Sequence, residues 1–352
     1  MADTLVDRAR DLLVALSEGN GVSGYESMLE PLVASFFRNL GAKVSVDKFG
    51  NIYAVKKGSQ GRYKVMLAAH MDEVGLIVTD IDERGFLRFR DIAGVDQRTL
   101  LSQEVVIHGR DDIPGVIGTM PPHLLKSHDA KRALRFDELG IDVGMKAEEI
   151  RKVIQIGDIV TLKRSTRRLL NNVIAGKAFD DRAGVVAMAI CLQELEKRHF
   201  FHDVVCVATT QEEVGLRGAV TSSFTLNPDL GIAIDVTHAA SPDAKVNIEL
   251  GKGTVIALGA NVHPAIHKQL VRTARSSRLP YQLEAVPGHS GTDAWAMQVS
   301  QAGVPTGLVS IPLRYMHTSV ETLDMQDVVH TGKLLAEFIT GLPENLEELL
   351  CF

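Results

Sequence analysis

The sequence predicts an α/β protein: a mostly parallel sheet covered by helices on both faces, with one small all-β unit inserted. Three observations predict it. Helix-period apolar patterns alternate with short apolar runs over the first 72 residues and again after Asn171. Between them, from about Val74 to Leu162, short apolar runs recur between turns rich in Gly, Pro and Asp. The length of 352 residues, at roughly 100–200 per domain, fits two domains or one domain with an insertion.

The elements follow in order. Leu5, Ala9, Leu12, Leu13 and Leu16 fall at helical spacing, as do Leu29, Leu32, Val33, Phe36, Phe37 and Leu40. Ser27 or Glu26 can start the second helix and Gly41 stops it. Val44–Val55 reads as two short strands around a turn, and Tyr63–Ala69 as a strand that ends in His70-Met71-Asp72-Glu73. Within the insert the strand candidates are Gly75–Asp80, Gly85–Arg90, Val105–Ile107, Val116–Ile117 and Ile159–Leu162, with a polar loop at Pro121–Lys131. Ala183–Glu196 then reads as a helix, Val204–Thr209 and Gly231–Asp235 as strands, and His263–Ser277 as a helix with Pro264 in its first turn. Thr306–Ile311 reads as a strand and Asp324–Ile339 as the last long helix.

Composition narrows the function classes. Apolar residues at 45% and charged residues at 23% indicate a globular chain, not a disordered one. Lys and Arg number 38 against 44 Asp and Glu, a net charge of -6, which argues against nucleic-acid or anionic-membrane partners. Cys191, Cys206 and Cys351 show no CxxC spacing, so neither a disulfide scaffold nor a thiolate zinc site is expected. The start MADTLVDRAR has no apolar core and reads as no signal peptide, and no apolar run approaches the roughly 20 residues of a membrane span. Cytoplasm is the expected location.

The chemistry is sought at the carboxyl ends of the strands, where open α/β sheets bind ligands. His70 and Asp72 follow one strand, Glu212 and Glu213 a second, Asp235 a third and His317 a fourth, while Asp180 and Asp181 precede the Ala183 helix. Each alone has an ordinary structural explanation, such as a turn or a helix cap. Together they form a carboxylate-rich set with few cations in the neighbouring sequence, which calls for a cationic filler. Nitrogen and oxygen donors without sulfur suit Zn²⁺, Co²⁺ or Mn²⁺.

Six segments carry a family resemblance: AAHMDEVG at Ala68–Gly75, GKAFDDRAG at Gly176–Gly184, TTQEEVGLRGA at Thr209–Ala219, AIDVTHA at Ala233–Ala239, GTDAWAM at Gly291–Met297 and SIPLRYMHTSVE at Ser310–Glu321. In order and spacing the chain resembles metallopeptidase family 42, the tetrahedral (TET) aminopeptidases, whose relatives are sometimes labelled glutamyl aminopeptidases or endoglucanases. The resemblance implies a three-layer α/β/α metallopeptidase domain, split as 1–72 and 165–352, with a barrel-like dimerisation domain inserted at 73–164. It implies two divalent metal ions per subunit: His70 and Asp235 on one, Glu213 and His317 on the other, and Asp180 bridging. Glu212 would be the general base, and Asp72 would orient the His70 imidazole from two residues on, where side chains of an extended chain share a face. Two metals roughly 3.5–4 Å apart can polarise a carbonyl and activate water. The implied substrates are peptides with a free N-terminus, and the implied assembly is a homo-oligomer: dimers, or twelve subunits in a tetrahedron.

The substrate pocket is the least defined part. Arg217, Thr292, Asp293, His238 and His289 are candidates from their place in or beside these segments, although the favoured reading of Thr292 or Asp293 is an N-cap and that of the two histidines a structural role. A broad or leucyl-type preference is expected, with glutamyl second. His263 and His267 are four apart but lack the Glu of HExxH. His199 and His202 are expected to be solvated. Two other readings compete: a glycoside hydrolase with paired carboxylates, which sparse aromatics (one Trp, five Tyr) disfavour, and a non-catalytic assembly protein with a structural metal, which leaves Glu212 unexplained.

Overall fold

The structure, a computed structural model, describes residues 4–120, 134–242 and 246–350. Helix α1 (Leu5–Glu18) begins at a capping box in which Thr4 and Asp7 satisfy each other's backbone amides, and it buries Ala9, Leu13 and Leu16. Helix α2 (Glu30–Asn39) starts later than Ser27, because Glu26–Met28 form a separate 3₁₀ turn. Strands β1 (Lys43–Val46) and β2 (Ile52–Lys56) make a hairpin, and β3 (Lys64–His70) follows. The next six strands leave this sheet altogether.

They are β4 (Gly75–Ile81), β5 (Phe86–Ile92), β6 (Glu104–His108), β7 (Asp112–Gly118), β8 (Gly140–Asp142) and β9 (Ile159–Leu162). They close into an antiparallel barrel in the order β4-β5-β8-β7-β6-β9. Its own core includes Leu76, Leu87, Val105, Ile107, Ile141 and Val160. The short helix α3 (Ala147–Ile150) packs Ile150 into that core. Strand β8 went unread in the sequence because three residues are too few to show a period of two. The loop expected at Pro121–Lys131 lies outside the described residues.

The chain returns through β10 (Arg167–Arg168) and β11 (Val173–Gly176), then α4 (Phe179–Leu195), β12 (Asp203–Thr209), α5 (Arg217–Leu226), β13 (Leu230–His238), β14 (Thr254–Gly259), α6 (Pro264–Ser276), β15 (Tyr281–Val286), α7 (Asp293–Gln298), β16 (Thr306–Leu313), β17 (Glu321–Asp324), α8 (Met325–Thr340) and α9 (Glu347–Leu350). Among the described residues the main sheet has eight strands in the order β1-β2-β12-β3-β13-β16-β14-β15. Its centre is parallel, and β1, β2 and the β14–β16 pair contribute the antiparallel contacts. The alternation along β3 shows why it is covered twice. Val65, Leu67 and Ala69 join the core under α1, α4, α6 and α8, while Met66 and Ala68 join the core under α5 and α7. A small sheet, β10-β11-β17, braces the side where α4 begins. Among the described residues no helix is long and apolar enough to cross a membrane.

Candidate metal centre and active site

The central strands deliver the side chains. His70 is the last residue of β3 and pairs with Thr209, the last residue of β12. Beyond Thr209 the chain turns through Gln211 at φ +54 and delivers Glu212 and Glu213 before α5 begins. That turn is tight because α5 presses on it: a Cβ on Gly218 would overlap the Thr210 backbone and Asn51 Oδ1. Asp235 sits inside β13 opposite Ser310, and the strand runs three residues further than expected, to His238. His317 lies between β16 and β17 at φ +61. Asp180 and Asp181 have non-helical dihedrals ahead of the regular part of α4, and their peptide bond is cis.

The expected ligands converge. His70 Nε2 lies 3.1 Å from Asp180 Oδ1, and His317 Nε2 lies 3.4 Å from Asp180 Oδ2 and 3.2 Å from Glu213 Oε2. The donor atoms form two groups, His70/Asp180/Asp235 and Asp180/Glu213/His317, each with its atoms within 4.8 Å of one another. Asp180 belongs to both. Glu212 Oε2 is 4.0 Å from His70 Nε2, and Glu212 Oε1 is buried with no hydrogen-bond partner among the described residues.

Asp72 does more than the sequence suggested. The nearest acceptor to His70 Nδ1 is the Asp72 backbone carbonyl at 3.2 Å, with carboxylate Oδ1 at 3.6 Å. The carboxylate itself accepts from Ser23 Oγ at 2.7 Å and from the amides of Glu212 at 3.1 Å and Glu213 at 3.3 Å. It therefore ties the end of β3 to the loop carrying both glutamates.

The electrostatics ask for a cation. Burial, then the charges of Asp235, Asp293 and Glu213, push Glu212 up to about 10. Burial, then Asp180, raises Asp235 well above the usual carboxylate range. Burial opposes protonation of His317, but bonds to Asp180 and Glu213 push it up to about 11. Burial likewise opposes protonation of His70, yet Asp180 and Asp72 raise it well above its ordinary value. Divalent ions bound among these carboxylates and imidazoles would displace such protons. Mixed N and O donors in two overlapping groups, with no thiolate, fit such ions.

The same residues open onto a cavity of ≈ 390 Å³. Of the pocket candidates, His238 and Thr292 line it; Arg217, Asp293 and His289 do not. Thr292 is the N-cap of α7, accepting from the Ala294 amide, as the capping pattern allowed. Asp293 is buried behind the wall and takes a hydrogen bond of 2.6 Å from Thr209 Oγ1. Arg217 donates to Gln211 Oε1 at 3.1 Å, and His289 stacks on Trp295 at 4.2 Å between centroids. His202 is buried, not solvated, with Nε2 2.8 Å from the Pro343 carbonyl oxygen.

Two residues escaped the sequence reasoning. Glu321 accepts from the amides of Phe179 (2.7 Å), Asp180 (3.2 Å) and His317 (2.8 Å), so one carboxylate positions two candidate ligands. It stands at the end of the SIPLRYMHTSVE segment, four residues after His317, and that proximity was the available signal. Glu284, on β15, also lines the cavity. No sequence signal marked it, because β15 itself was not recognised.

Comparison with known proteins places the chain among aminopeptidases. Residues 50–334 match the model of the family described as M42 glutamyl aminopeptidase. A lysyl aminopeptidase of Pyrococcus furiosus is 39% identical over 94% of this chain and 97% of its own. An aminopeptidase structure from the archaeon Desulfurococcus kamchatkensis superposes with a TM-score of 0.92 at 39% identity, covering 99% of both chains. The TET1 peptidase of Pyrococcus horikoshii, described as assembling into a tetrahedron or a large octahedral shell, superposes at 0.85 with 29% identity, over 95% of this chain and 100% of its own.

Proposed function

Because the chain belongs to the M42 glutamyl aminopeptidase family, and is therefore a metal-dependent aminopeptidase, we propose that it works through a dinuclear site with Glu212 as general base. One observation carries this reading: Asp180 belongs to both donor groups, and beside them Glu212 Oε1 is buried and unbonded. His70 and Asp235 would hold the first ion, Glu213 and His317 the second, and Asp180 both. Two divalent ions, zinc or cobalt or else manganese, would polarise the scissile carbonyl and acidify the attacking water.

The protein's own groups do the rest. Glu212 takes the water proton on Oε1 as the new C–O bond forms, and returns it to the amine nitrogen as the C–N bond breaks. Asp72 holds the Glu212 and Glu213 amides, so the base and a ligand are fixed by one carboxylate. Glu321 fixes Asp180 and His317 in the same way.

Substrates are peptides with a free N-terminus. In this reading residues 1–72 and 165–352 form the catalytic unit, and the barrel segment 73–164 mediates dimerisation. The likeness to a peptidase described as forming a tetrahedron supports a homo-oligomer built from such dimers. Lysyl and glutamyl names both occur among the matches, so membership leaves the preferred residue open. Among the described residues the cavity lining includes neither lysine nor arginine, which speaks against the glutamyl alternative.

The test is hydrolysis of Leu, Glu, Ala, Lys and Arg p-nitroanilides and their N-acetylated forms, on chelated protein and after Zn²⁺, Co²⁺ or Mn²⁺ is restored. Free-amine substrates should be cleaved only with metal. Glu212→Gln should keep its metal and lose about 10²–10⁴-fold in kcat. Full turnover by the metal-loaded variant would remove Glu212 from the chemistry.

A further inference from the structure

We propose that Glu284 is the specificity residue of the substrate cavity and selects peptides whose N-terminal residue is lysine or arginine. This rests on the aminopeptidase reading of the site and adds the substrate class to it.

Glu284 reaches the cavity from β15, next to β14 in the sheet. It is half-buried, and its Oε1 accepts a hydrogen bond of 2.9 Å from Thr237 Oγ1 on β13. That bond aims the carboxylate across the cavity wall and leaves acceptor capacity on both oxygens. With the proposed metal and base groups set aside (His70, Asp180, Glu212, Glu213, Asp235 and His317), Glu284 is the one carboxylate remaining in the described lining. No lysine or arginine stands in that lining to neutralise it. Divalent ions held by His70, Asp180, Glu213, Asp235 and His317 would compensate those carboxylates and would leave Glu284 as an unbalanced negative charge.

The surrounding wall suits the rest of a basic side chain. Val236, Val286, Pro287 and Leu308 line the same cavity and offer apolar surface. Lysine and arginine carry an apolar stem and a cationic tip, so they can cover such a wall while the tip meets Glu284. An N-terminal glutamate would set two carboxylates against each other, and a leucine would leave Glu284 without a charged partner.

The experiment compares lysyl with norleucyl p-nitroanilide, which differ by the terminal ammonium, on the metal-loaded full-length protein. The expected lysyl-to-norleucyl ratio of kcat/KM is about tenfold or more, the range of a charge-assisted hydrogen bond. Glu284→Gln should reduce that ratio by a similar factor, mainly through the KM for lysyl substrate, since the bond forms in ground and transition states alike. Glu284→Lys should reverse the order of lysyl and glutamyl substrates. A purely structural Glu284 would alter both substrates in parallel and leave the ratio alone. A wild-type ratio near one, or one that Glu284→Gln does not change, overturns the proposal while the aminopeptidase reading stands. Failure of the metal-loaded wild type to cleave any free-amine substrate overturns that reading, and this proposal with it.

Discussion

Glu73→Gln should destabilise the protein sharply although Glu73 touches neither the cavity nor a proposed ligand. Its carboxylate is buried between Lys177 Nζ, at 2.6 and 2.8 Å, and Arg182 Nη2, at 3.1 Å, and it accepts from the Gly21 amide at 3.2 Å. Arg182 is completely buried and also donates to the carbonyls of Met71, Leu16 and Gly19, so the cluster joins α1, the end of β3 and the start of α4. Burial works to raise the Glu73 carboxyl, but Lys177 and Arg182 hold it below its ordinary value. Glutamine keeps the shape and removes the charge, leaving two buried cations uncompensated. Breaking a buried pair in this way costs about 3–5 kcal/mol. At about 2.1 cal/mol/K of unfolding entropy per residue, a chain of this length loses roughly 4–7 °C in Tm. Differential scanning calorimetry at neutral pH reads that shift. A second arm removes one cation as well: Glu73→Gln with Lys177→Met should recover part of the loss. The sign of the pH dependence follows from the lowered pKa. The Glu73 contribution is complete above the ordinary value of 4.5 and fades as pH falls through the folded-state value, so the gap between wild type and variant should close below that pH. A Tm change under about 1 °C at neutral pH would refute the reasoning, because a desolvated and paired carboxylate cannot be removed so cheaply.

Three further outcomes are expected. Glu321→Gln should weaken metal affinity about 10–100-fold by loosening Asp180 and His317 together, as read by competition with a chromogenic chelator; unchanged affinity would show that the three amide bonds do not position the ligands. Gly218→Ala should lower both Tm and turnover, because the new Cβ meets the Thr210 backbone and displaces the loop before Glu212; a variant with wild-type values in both would mean that α5 yields at that contact. Thr209→Val should cost about 1–3 kcal/mol in denaturant unfolding, since it strips Asp293 Oδ2 of its donor while Oδ1 already lacks one, and unchanged stability would place water against that carboxylate.

Much of the fold was legible where pattern is local. The periods of α1, α4 and α8 and the apolar runs of β3, β12 and β16 depend on neighbours within a few turns, and each was placed within a few residues. The same held for the β texture of the insert. The candidate ligands were legible for a different reason: they stand at or near strand ends, and parallel strands bring those ends to one edge. Strands β14 and β15 were not legible, and Glu284 was lost with them. Leu283 and Ala285 face solvent at the sheet edge, so β15 shows no apolar run.

By itself, the sequence determined the class, the inserted barrel segment, the donor types and the family, because periodicity and motif order are properties of the chain. Only the tertiary structure decided that Asp72 and Glu321 secure the loops around the donor groups, and that Glu284 enters the same cavity. Those facts depend on contacts spanning tens to hundreds of residues, as between Asp72 and Glu212, 140 apart, or Asp180 and Glu321, 141 apart. Such contacts form only when the twisted sheet sets one strand end against another, and no local pattern encodes them.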